Sequence, residues 1–421
     1  MRRALLVVAP LAVFVLASGR VLPPLLAVLG LFAVVIAALI APYPKVAAPL
    51  AIVFIACVPV YWGRAIGGVG LAVIPVTIAG VILLPAAVRQ GWRFRIVTLD
   101  VLVGVYLVLR SLSFILNYGS GLGAAVGYSS RIVVGYGVFR LLSLVPGMRR
   151  RLAVAMVVAG GLLTIPAYLE LSRRNPFFGA VTPSFQADAW ARPEVRLGTV
   201  RVEGSFGHPI PFGMFLAMVV VLAVALAVWG LLEVRRVSPG RVAALAVVLV
   251  GVLALTPALS IVDTLWTASS GDTREARSAE YRLEVASVLF DRSQFSLLGR
   301  ETADSGEVSR AVANRVGLKS IDNEYAIVFV AGGLLSLIAF AAIGLQVLRL
   351  PFWRGLDPVD RAWMVVLGAS FLNLATVALL TQFSDLFWIS VAVAASIVQE
   401  RQSRPTRSAD LLVTSSSAPA E

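Results

Sequence analysis

Long apolar runs recur along the whole chain, and they limit it to folds made of membrane-embedded helices. They lie near 4–19, 21–41, 46–62, 66–88, 97–116, 131–145, 151–170, 209–232, 241–262, 323–348, 362–381 and 384–398. A helix needs about 20 apolar residues to cross roughly 30 Å of hydrocarbon, so the runs predict an all-α polytopic membrane protein with about twelve transmembrane helices. Only 14% of the residues are charged, whereas soluble domains contain about 25%.

Basic residues are concentrated in every second short connection, and therefore on one side of the membrane. With the N-terminus in the cytoplasm, the short outside connections contain little beyond Arg20, Arg64 and Arg131. Cytoplasmic loops are enriched in Lys and Arg, so the pattern predicts that both termini are cytoplasmic. The two long connections, 171–208 and 263–322, then lie outside. The second is a large external loop between the ninth and tenth helices, with an amphipathic helix predicted over 275–290.

This layout predicts six segments. They are helices 1–7 within 1–170, a first long external loop at 171–208, helices 8 and 9 within 209–262, the large external loop at 263–322, helices 10–12 within 323–398, and a disordered cytoplasmic tail at 399–421. The single cysteine, Cys57, excludes an intrachain disulfide and disfavours thiolate metal chemistry. Because the arginines are spread over many short loops, we expect no nucleic-acid binding.

The densest polar cluster beside an apolar run closes the first long loop. It contains Arg196, Arg201, Glu203 and His208. Pro209 suits the first turn of a helix, and the N–H groups and partial positive charge of a helix start, together with Arg196 and Arg201, favour a bound phosphate. Plainer roles stay open, since loop arginines often contact lipid headgroups and His208 could simply precede a helix.

A second cluster, Asp322-Asn323-Glu324, closes the large external loop. Asp322 could be a helix N-cap, and a carboxylate at a helix mouth is also a candidate general base. The candidate catalytic residues are therefore Asp322, His208, Glu203 and Glu324. The candidate diphosphate ligands are Arg196, Arg201 and Arg282, although Arg282 could equally lie on a solvated face. No metal site and no cofactor are predicted.

Arg110 and Arg140 fall inside predicted membrane spans. Ionisable groups are costly there and usually face a partner, the bundle interior or water. Structural pairing or snorkelling to the interface accounts for both arginines. A transport pathway is the alternative.

The motifs together resemble the O-antigen ligase and O-antigen polymerase superfamily. They are Arg-Val-Glu-Gly-Ser-Phe-Gly-His-Pro-Ile-Pro-Phe-Gly at 201–213, Leu-Leu-Gly at 297–299, Asp-Asn-Glu-Tyr at 322–325 and Ala-Gly-Gly-Leu-Leu-Ser-Leu at 331–337. The resemblance implies a GT-C-like, metal-independent glycosyltransferase of a bacterial plasma (inner) membrane. Such an enzyme transfers a glycan from undecaprenyl diphosphate to an acceptor hydroxyl at the outer face, in cell-envelope polysaccharide assembly.

Under this resemblance, Arg196, Arg201 and Arg282 match the external arginines that grip the diphosphate. The implied partners are the lipid-linked glycan, its acceptor, the lipid bilayer and other polysaccharide-assembly proteins. Ligase members carry a histidine after the large loop, whereas this chain has Asp322-Asn323 there, which favours a polymerase-like member. The rival predictions are a transporter or flippase of lipid-linked glycan or another anionic substrate, and a membrane scaffold without turnover.

Overall fold

The structure, a computed structural model, describes a large part of the chain. The described residues are 43–59, 73–117, 121–174, 177, 195–196, 199–233, 287, 295–299, 323–375, 379 and 381–403. The spans predicted at 4–19, 21–41 and 241–262 lie outside these residues. So do the amphipathic helix predicted at 275–290, apart from Ser287, and the tail beyond 403.

Helices make up nearly all of the described residues. They are α1 (Pro44–Cys57), α2 (Val73–Val88), α3 (Thr98–Asn117), α4 (Gly121–Ile132), α5 (Phe139–Leu142), α6 (Met148–Arg173), α7 (Pro209–Glu233), α8 (Glu324–Arg349), α9 (Pro358–Asn373) and α10 (Thr381–Gln402). A π-helical segment, Val133–Val138, joins α4 to α5. Two short antiparallel strands, β1 (Val195–Arg196) and β2 (Thr199–Val200), precede α7.

Five helices in the described part of the chain are long and apolar enough to cross a membrane. They are Thr98–Asn117, Met148–Arg173, Pro209–Glu233, Glu324–Phe352 and Gln382–Gln402. Leucine, isoleucine and valine side chains on their outer faces are exposed, for example Ile165 and Ile338, as expected for surfaces that contact lipid tails. The all-helical, membrane-embedded character predicted from the sequence is confirmed at this level.

Helix α10 is the centre of the bundle. It contacts α1, α4, α5, α7, α9 and the π-helical segment, and its residues from Gln382 to Gln399 are all buried. Around it, α8 packs along α3, α6 packs along both α1 and α7, and α7 packs along α9. Because α10 contacts protein on every side, it can carry polar residues such as Asp385 that a lipid-facing helix could not.

The helices run in two opposite directions, so each end of the bundle has its own set of helix starts and last turns. At the first, which we call the loop end, the last turns of α3, α6 and α9 meet the starts of α7, α8 and α10. At the second, the basic end, the starts of α3, α6 and α9 meet the last turn of α10. The basic end carries the residues predicted to lie inside: Lys45, Arg89, Arg93, Arg95, Arg149, Arg150, Arg151, Arg349, Arg354, Arg361 and Arg401.

Two helices begin earlier than the apolar runs that predict them. The run at 131–145 belongs to a helical segment that starts at Gly121, and the run at 384–398 belongs to α10, which starts at Thr381. Arg131, expected in an outside connection, consequently lies within α4 and bonds Asp385. Hydropathy shortens both helices because polar side chains such as Ser129, Arg131 and Gln382 bond neighbouring segments of the protein instead of facing lipid.

Candidate functional site

The end of the first long loop is held in place by a buried carboxylate on α6. One side-chain oxygen of Glu170, Oε2, accepts hydrogen bonds from the backbone N–H groups of Glu203 at 2.9 Å and Gly204 at 3.1 Å. Its other oxygen accepts from the N–H group of Phe177 at 3.1 Å. Glu170 therefore positions the predicted motif, although it lies far away in sequence and was not among the predicted site residues.

The start of α7 agrees with the sequence expectation. The helix begins at Pro209, and the His208 Nδ1 atom accepts a hydrogen bond from the Ile210 N–H group at 3.3 Å. The ring thus satisfies one of the N–H groups that a helix start leaves without a helical partner. Because Nδ1 is the acceptor nitrogen, Nε2 carries the proton of the neutral ring. The nitrogen that could accept a proton is thus the one that already accepts the Ile210 N–H group.

The other three predicted residues of the first motif lie in different surroundings. Glu203 is buried, and Arg201, which precedes it by two residues in the sequence, is half-buried. Arg196 lies on β1, whose backbone pairs with Thr199 of β2. The described geometry thus places Glu203 and Arg201 at the loop end.

At the close of the second long loop, Asn323 is the N-cap of α8. Its side-chain oxygen accepts a hydrogen bond from the Ala326 N–H group at 3.0 Å, so the N-cap role considered for Asp322 belongs to its neighbour. Glu324 is buried, and its Oε2 atom accepts from the Leu379 N–H group at 2.8 Å. Asp322 and Arg282 lie outside the described residues, and their predicted roles stay predictions.

The start of α10 joins the two predicted motifs. Leu379, just before the helix, donates to Glu324 of the second motif. In the first turn, Gln382 Nε2 donates to the Ser205 carbonyl oxygen of the first motif at 2.9 Å. Two segments that are far apart in sequence, 201–208 and 323–324, therefore meet at one end of the bundle.

Below this meeting point lies a group of buried and half-buried ionisable and aromatic side chains, which we call the interior cluster. It consists of Arg110, Arg131, Glu324 and Asp385, together with Tyr106 and Tyr128. The Arg110 guanidinium is 5.0 Å from the ring centroid of Phe114 and 5.3 Å from that of Tyr128. It interacts electrostatically with the Tyr128 hydroxyl and with the Glu324 carboxylate. The hydroxyl groups of Tyr106 and Tyr128 are 2.7 Å apart.

The second ion pair of the interior cluster joins α4 to α10. Arg131 Nε donates to Asp385 Oδ1 at 2.9 Å, and the Asp385 side chain has no solvent exposure. Trp388, one turn further along α10, stacks on Tyr106 at 5.7 Å between ring centroids. Sequence reasoning identified Arg110 and Glu324 but missed the partner Asp385. The signal that could have found it is a lone aspartate inside an apolar run, which usually faces a buried cation.

A different network surrounds Arg140 at the basic end. Its Nε atom donates to Asp100 Oδ1 at 2.9 Å, and its Nη2 atom donates to Gln399 Oε1 at 2.8 Å. Further bonds go to the Ser396 hydroxyl and the Arg95 carbonyl oxygen. For Arg140 the structural-pairing hypothesis is therefore confirmed, because acceptors surround its guanidinium group.

Among the residues that the structure describes, no group of three or more His, Cys, Asp or Glu side chains is arranged to hold a metal ion. In the comparisons with known proteins, no family model, no curated protein and no solved structure matches the chain. The loop end and the interior cluster must therefore be interpreted from their own chemistry.

Proposed function

We propose that the chain is a membrane glycosyltransferase that polymerises or transfers glycan units linked to undecaprenyl diphosphate. One observation carries this proposal: the segments 201–208 and 323–324, each flanking a long loop, meet at the start of α10. They bring a half-buried arginine, Arg201, and two buried carboxylates, Glu203 and Glu324, to the same end of the bundle. Charged groups at a membrane surface suit a substrate with a charged head and a lipid tail.

In this proposal the diphosphate binds Arg201, with Arg196 and Arg282 as further ligands. Guanidinium groups bind phosphate oxygens through paired N–H donors and stay charged. The acceptor oxygen attacks the anomeric carbon, the bond from that carbon to the diphosphate breaks, and the arginines stabilise the negative charge that the diphosphate gains. No metal ion or other cofactor is part of the proposal.

The proton of the acceptor hydroxyl passes to a carboxylate. Glu203 and Glu324 are the described candidates and Asp322 remains a third, whereas His208 is disfavoured because its acceptor nitrogen already bonds Ile210. We further propose a GT-C-like layout of about twelve spans. The loop end would face the outside of a bacterial plasma membrane, with both termini in the cytoplasm, since the basic end then obeys the positive-inside rule.

The experiment uses the purified full chain in lipid vesicles with a synthetic polyprenyl-diphosphate disaccharide. Transfer is measured as longer glycans together with released polyprenyl diphosphate. We expect Arg201→Ala to lower kcat/KM about 100-fold or more, as removal of one preorganised anion ligand does. Glu324→Gln keeps an acceptor for the Leu379 N–H group, so a loss of transfer in this variant would identify the carboxylate charge as essential. Unchanged transfer in both variants would contradict the proposal.

A transporter or flippase of lipid-linked glycan, or of another anionic substrate, is the second candidate. It is favoured by the interior cluster, because ionisable residues inside a membrane bundle commonly mark substrate or proton pathways. The same vesicles distinguish the two functions. A fluorescent lipid-linked sugar that crosses the bilayer without chain growth, and that stops crossing in Arg110→Met, would favour transport over transfer.

A further inference from the structure

Helix α8 is broken at membrane depth, and a loop segment fills the break. Gly333 has φ 79° and ψ 176°, which interrupts the helix between its first part, 324–332, and the rest. This conformation is accessible essentially to glycine alone. In a bundle surrounded by lipid, the backbone groups released by a break require partners inside the protein.

Those partners come from residues 295–299, Phe-Ser-Leu-Leu-Gly, which we call the strap. The Ser296 carbonyl oxygen accepts from the Leu334 N–H group at 2.8 Å, and the Leu297 carbonyl oxygen accepts from the Leu335 N–H group at 3.2 Å. In an unbroken helix these two N–H groups would bond Val330 and Ala331 instead. The strap therefore replaces the missing helical hydrogen bonds.

Helix α3 holds both sides of this joint. Asn117 Nδ2 donates to the strap carbonyl oxygen of Leu298 at 3.0 Å, and the Ser113 hydroxyl donates to the Ala331 carbonyl oxygen, which the break has released. Gly299 of the strap has φ 80°, and a Cβ atom there would collide with the Ala331 carbonyl group. The strap can contact the break only because Gly299 and Gly333 both lack a Cβ atom.

The break also shapes the surroundings of Arg110. The first part of α8 ends beside this residue, and a Cβ atom added to Gly332 would lie 3.0 Å from Arg110 Nη1. The C-terminal end of a helix carries a partial negative charge, which stabilises a nearby cation. At the opposite end of the same half-helix lies Glu324, where the partial positive charge favours a carboxylate. One short half-helix therefore positions both an arginine and a glutamate of the interior cluster.

We propose that the strap and the break in α8 form a two-state coupling element between the large external loop and the interior cluster. With the strap docked, α8 is broken and its half-helix holds Arg110 and Glu324 in place. With the strap released, Leu334 and Leu335 regain their helical partners, the half-helix turns, and both side chains lose their present surroundings. An event in the loop that pulls on the strap would thus reach the membrane interior through backbone hydrogen bonds.

The test measures strap docking directly with paired cysteines. Because Cys57 is the only cysteine, a Cys57→Ser background carrying Leu297→Cys and Leu335→Cys has just these two thiols. The parent residues are bonded through their backbones and are both exposed. A short bismaleimide should cross-link them in the full-length protein in a bilayer. Gly333→Ala should lower the cross-linked yield several-fold, because alanine disfavours the positive φ that the break requires.

Coupling is reciprocal, so a change at the interior cluster must also alter the strap. Arg110→Met should lower the same cross-linked yield several-fold, because Arg110 lies beside the end of the half-helix. Gly213→Ala is the matched control, because Gly213 is a helical glycine of α7 with open space where its Cβ would lie. It should leave the yield unchanged.

If Gly333→Ala fails to fold, as judged by gel filtration, Asn117→Ala replaces it. This variant removes one strap anchor without changing α8 and should also lower the yield. Full cross-linking in Arg110→Met, or in whichever strap variant folds, would overturn the coupling. Neither transfer nor transport enters this measurement, so its failure leaves the proposed enzymatic function untouched, and a failed transfer assay leaves the coupling untouched.

Discussion

Arg110 in α3 and Arg140 in α5 are each only 1% exposed, yet their surroundings differ between the two ends of the bundle. Arg140 at the basic end is surrounded by carboxylate, amide, hydroxyl and carbonyl acceptors from three parts of the chain. Arg110 lies near the loop end between two aromatic rings, a tyrosine hydroxyl and the end of a broken helix.

This difference separates a structural charge from a candidate functional one. A guanidinium that is surrounded by bonded acceptors, as Arg140 is, is costly to remove because its partner carboxylate is then left buried without a counter-charge. A guanidinium beside a discontinuous helix, as Arg110 is, is held by an arrangement for which we propose an alternative conformation. We therefore expect substitutions at the basic end to lower stability most, and substitutions at the loop end to affect function most.

The largest loss of stability is expected for Arg140→Met. It leaves the Asp100 carboxylate buried without its ion-pair partner, which should lower the free energy of unfolding by about 3–5 kcal/mol. Denaturant titration of the purified protein in mixed micelles measures this loss. A double variant with Asp100→Leu should regain part of it, since the uncompensated charge is then gone. A loss as small as that of a surface substitution would contradict the structural role of Arg140.

Glu170→Gln is expected to cost less stability, although it acts on the predicted site itself. The substitution replaces one acceptor oxygen with an N–H donor, so at least one of the N–H groups of Phe177, Glu203 and Gly204 loses its partner. Such a buried group costs about 1–3 kcal/mol. Hydrogen exchange should show faster exchange of at least one of the amides of 177, 203 and 204, with the amides of α9 as the internal control. Unchanged exchange would mean that Glu170 does not hold the loop.

Arg110→Met should cost less stability than Arg140→Met, because a flexible apolar side chain can pack against Phe114 and Tyr128, and Glu324 keeps its hydrogen bond from the Leu379 N–H group. The loss of the two ring contacts amounts to about 1–2 kcal/mol. Transfer or transport in vesicles should nevertheless fall strongly, so that Arg110→Met affects function more than stability, whereas Arg140→Met affects stability most. If Arg110→Met and Arg140→Met lowered stability equally and left activity equal, the distinction between the two ends would be lost.

The smallest effect is expected at the edge of the basic end. Arg149 bonds Asp360 at 2.9 Å and Glu400 at 2.6 Å, but the Glu400 side chain is 44% exposed and water screens the pair. Glu400→Gln should therefore change the free energy of unfolding by about 1 kcal/mol or less. The difference should shrink further when salt is raised. A larger effect would show that this network is as important as that of Arg140.

The positions of the helices followed from the sequence wherever lipid determines the residues. The predicted spans 97–116 and 209–232 correspond to Thr98–Asn117 and Pro209–Glu233, because each is a predominantly apolar run of bilayer length. The prediction was poorer for the helix that begins at Gly121 and for α10, because protein contacts permit polar residues such as Arg131 and Gln382 there. Hydropathy measures lipid contact and does not detect a helix that protein surrounds.

The candidate site was predictable only in its local parts. The start of α7 at Pro209 and the role of His208 beside it follow from rules for neighbouring residues. The supports of the site are long-range: Glu170 reaches Glu203, Leu379 reaches Glu324, and Asp385 reaches Arg131. The break at Gly333 depends on a strap that is distant in sequence. No spacing rule relates such partners, because tertiary packing alone brings them together.

The most direct test of the loop end as the substrate site is ligand-induced stabilisation by polyprenyl diphosphate. A ligand that binds only the folded protein raises its unfolding temperature. Arg201→Ala removes a guanidinium at the loop end, and Arg150→Ala removes an exposed one at the basic end, where Arg150 lies over the Trp229 ring. We predict that polyprenyl diphosphate stabilises the unmodified protein and Arg150→Ala equally and leaves Arg201→Ala unchanged. Equal stabilisation of both variants, or a loss confined to Arg150→Ala, would contradict the assignment.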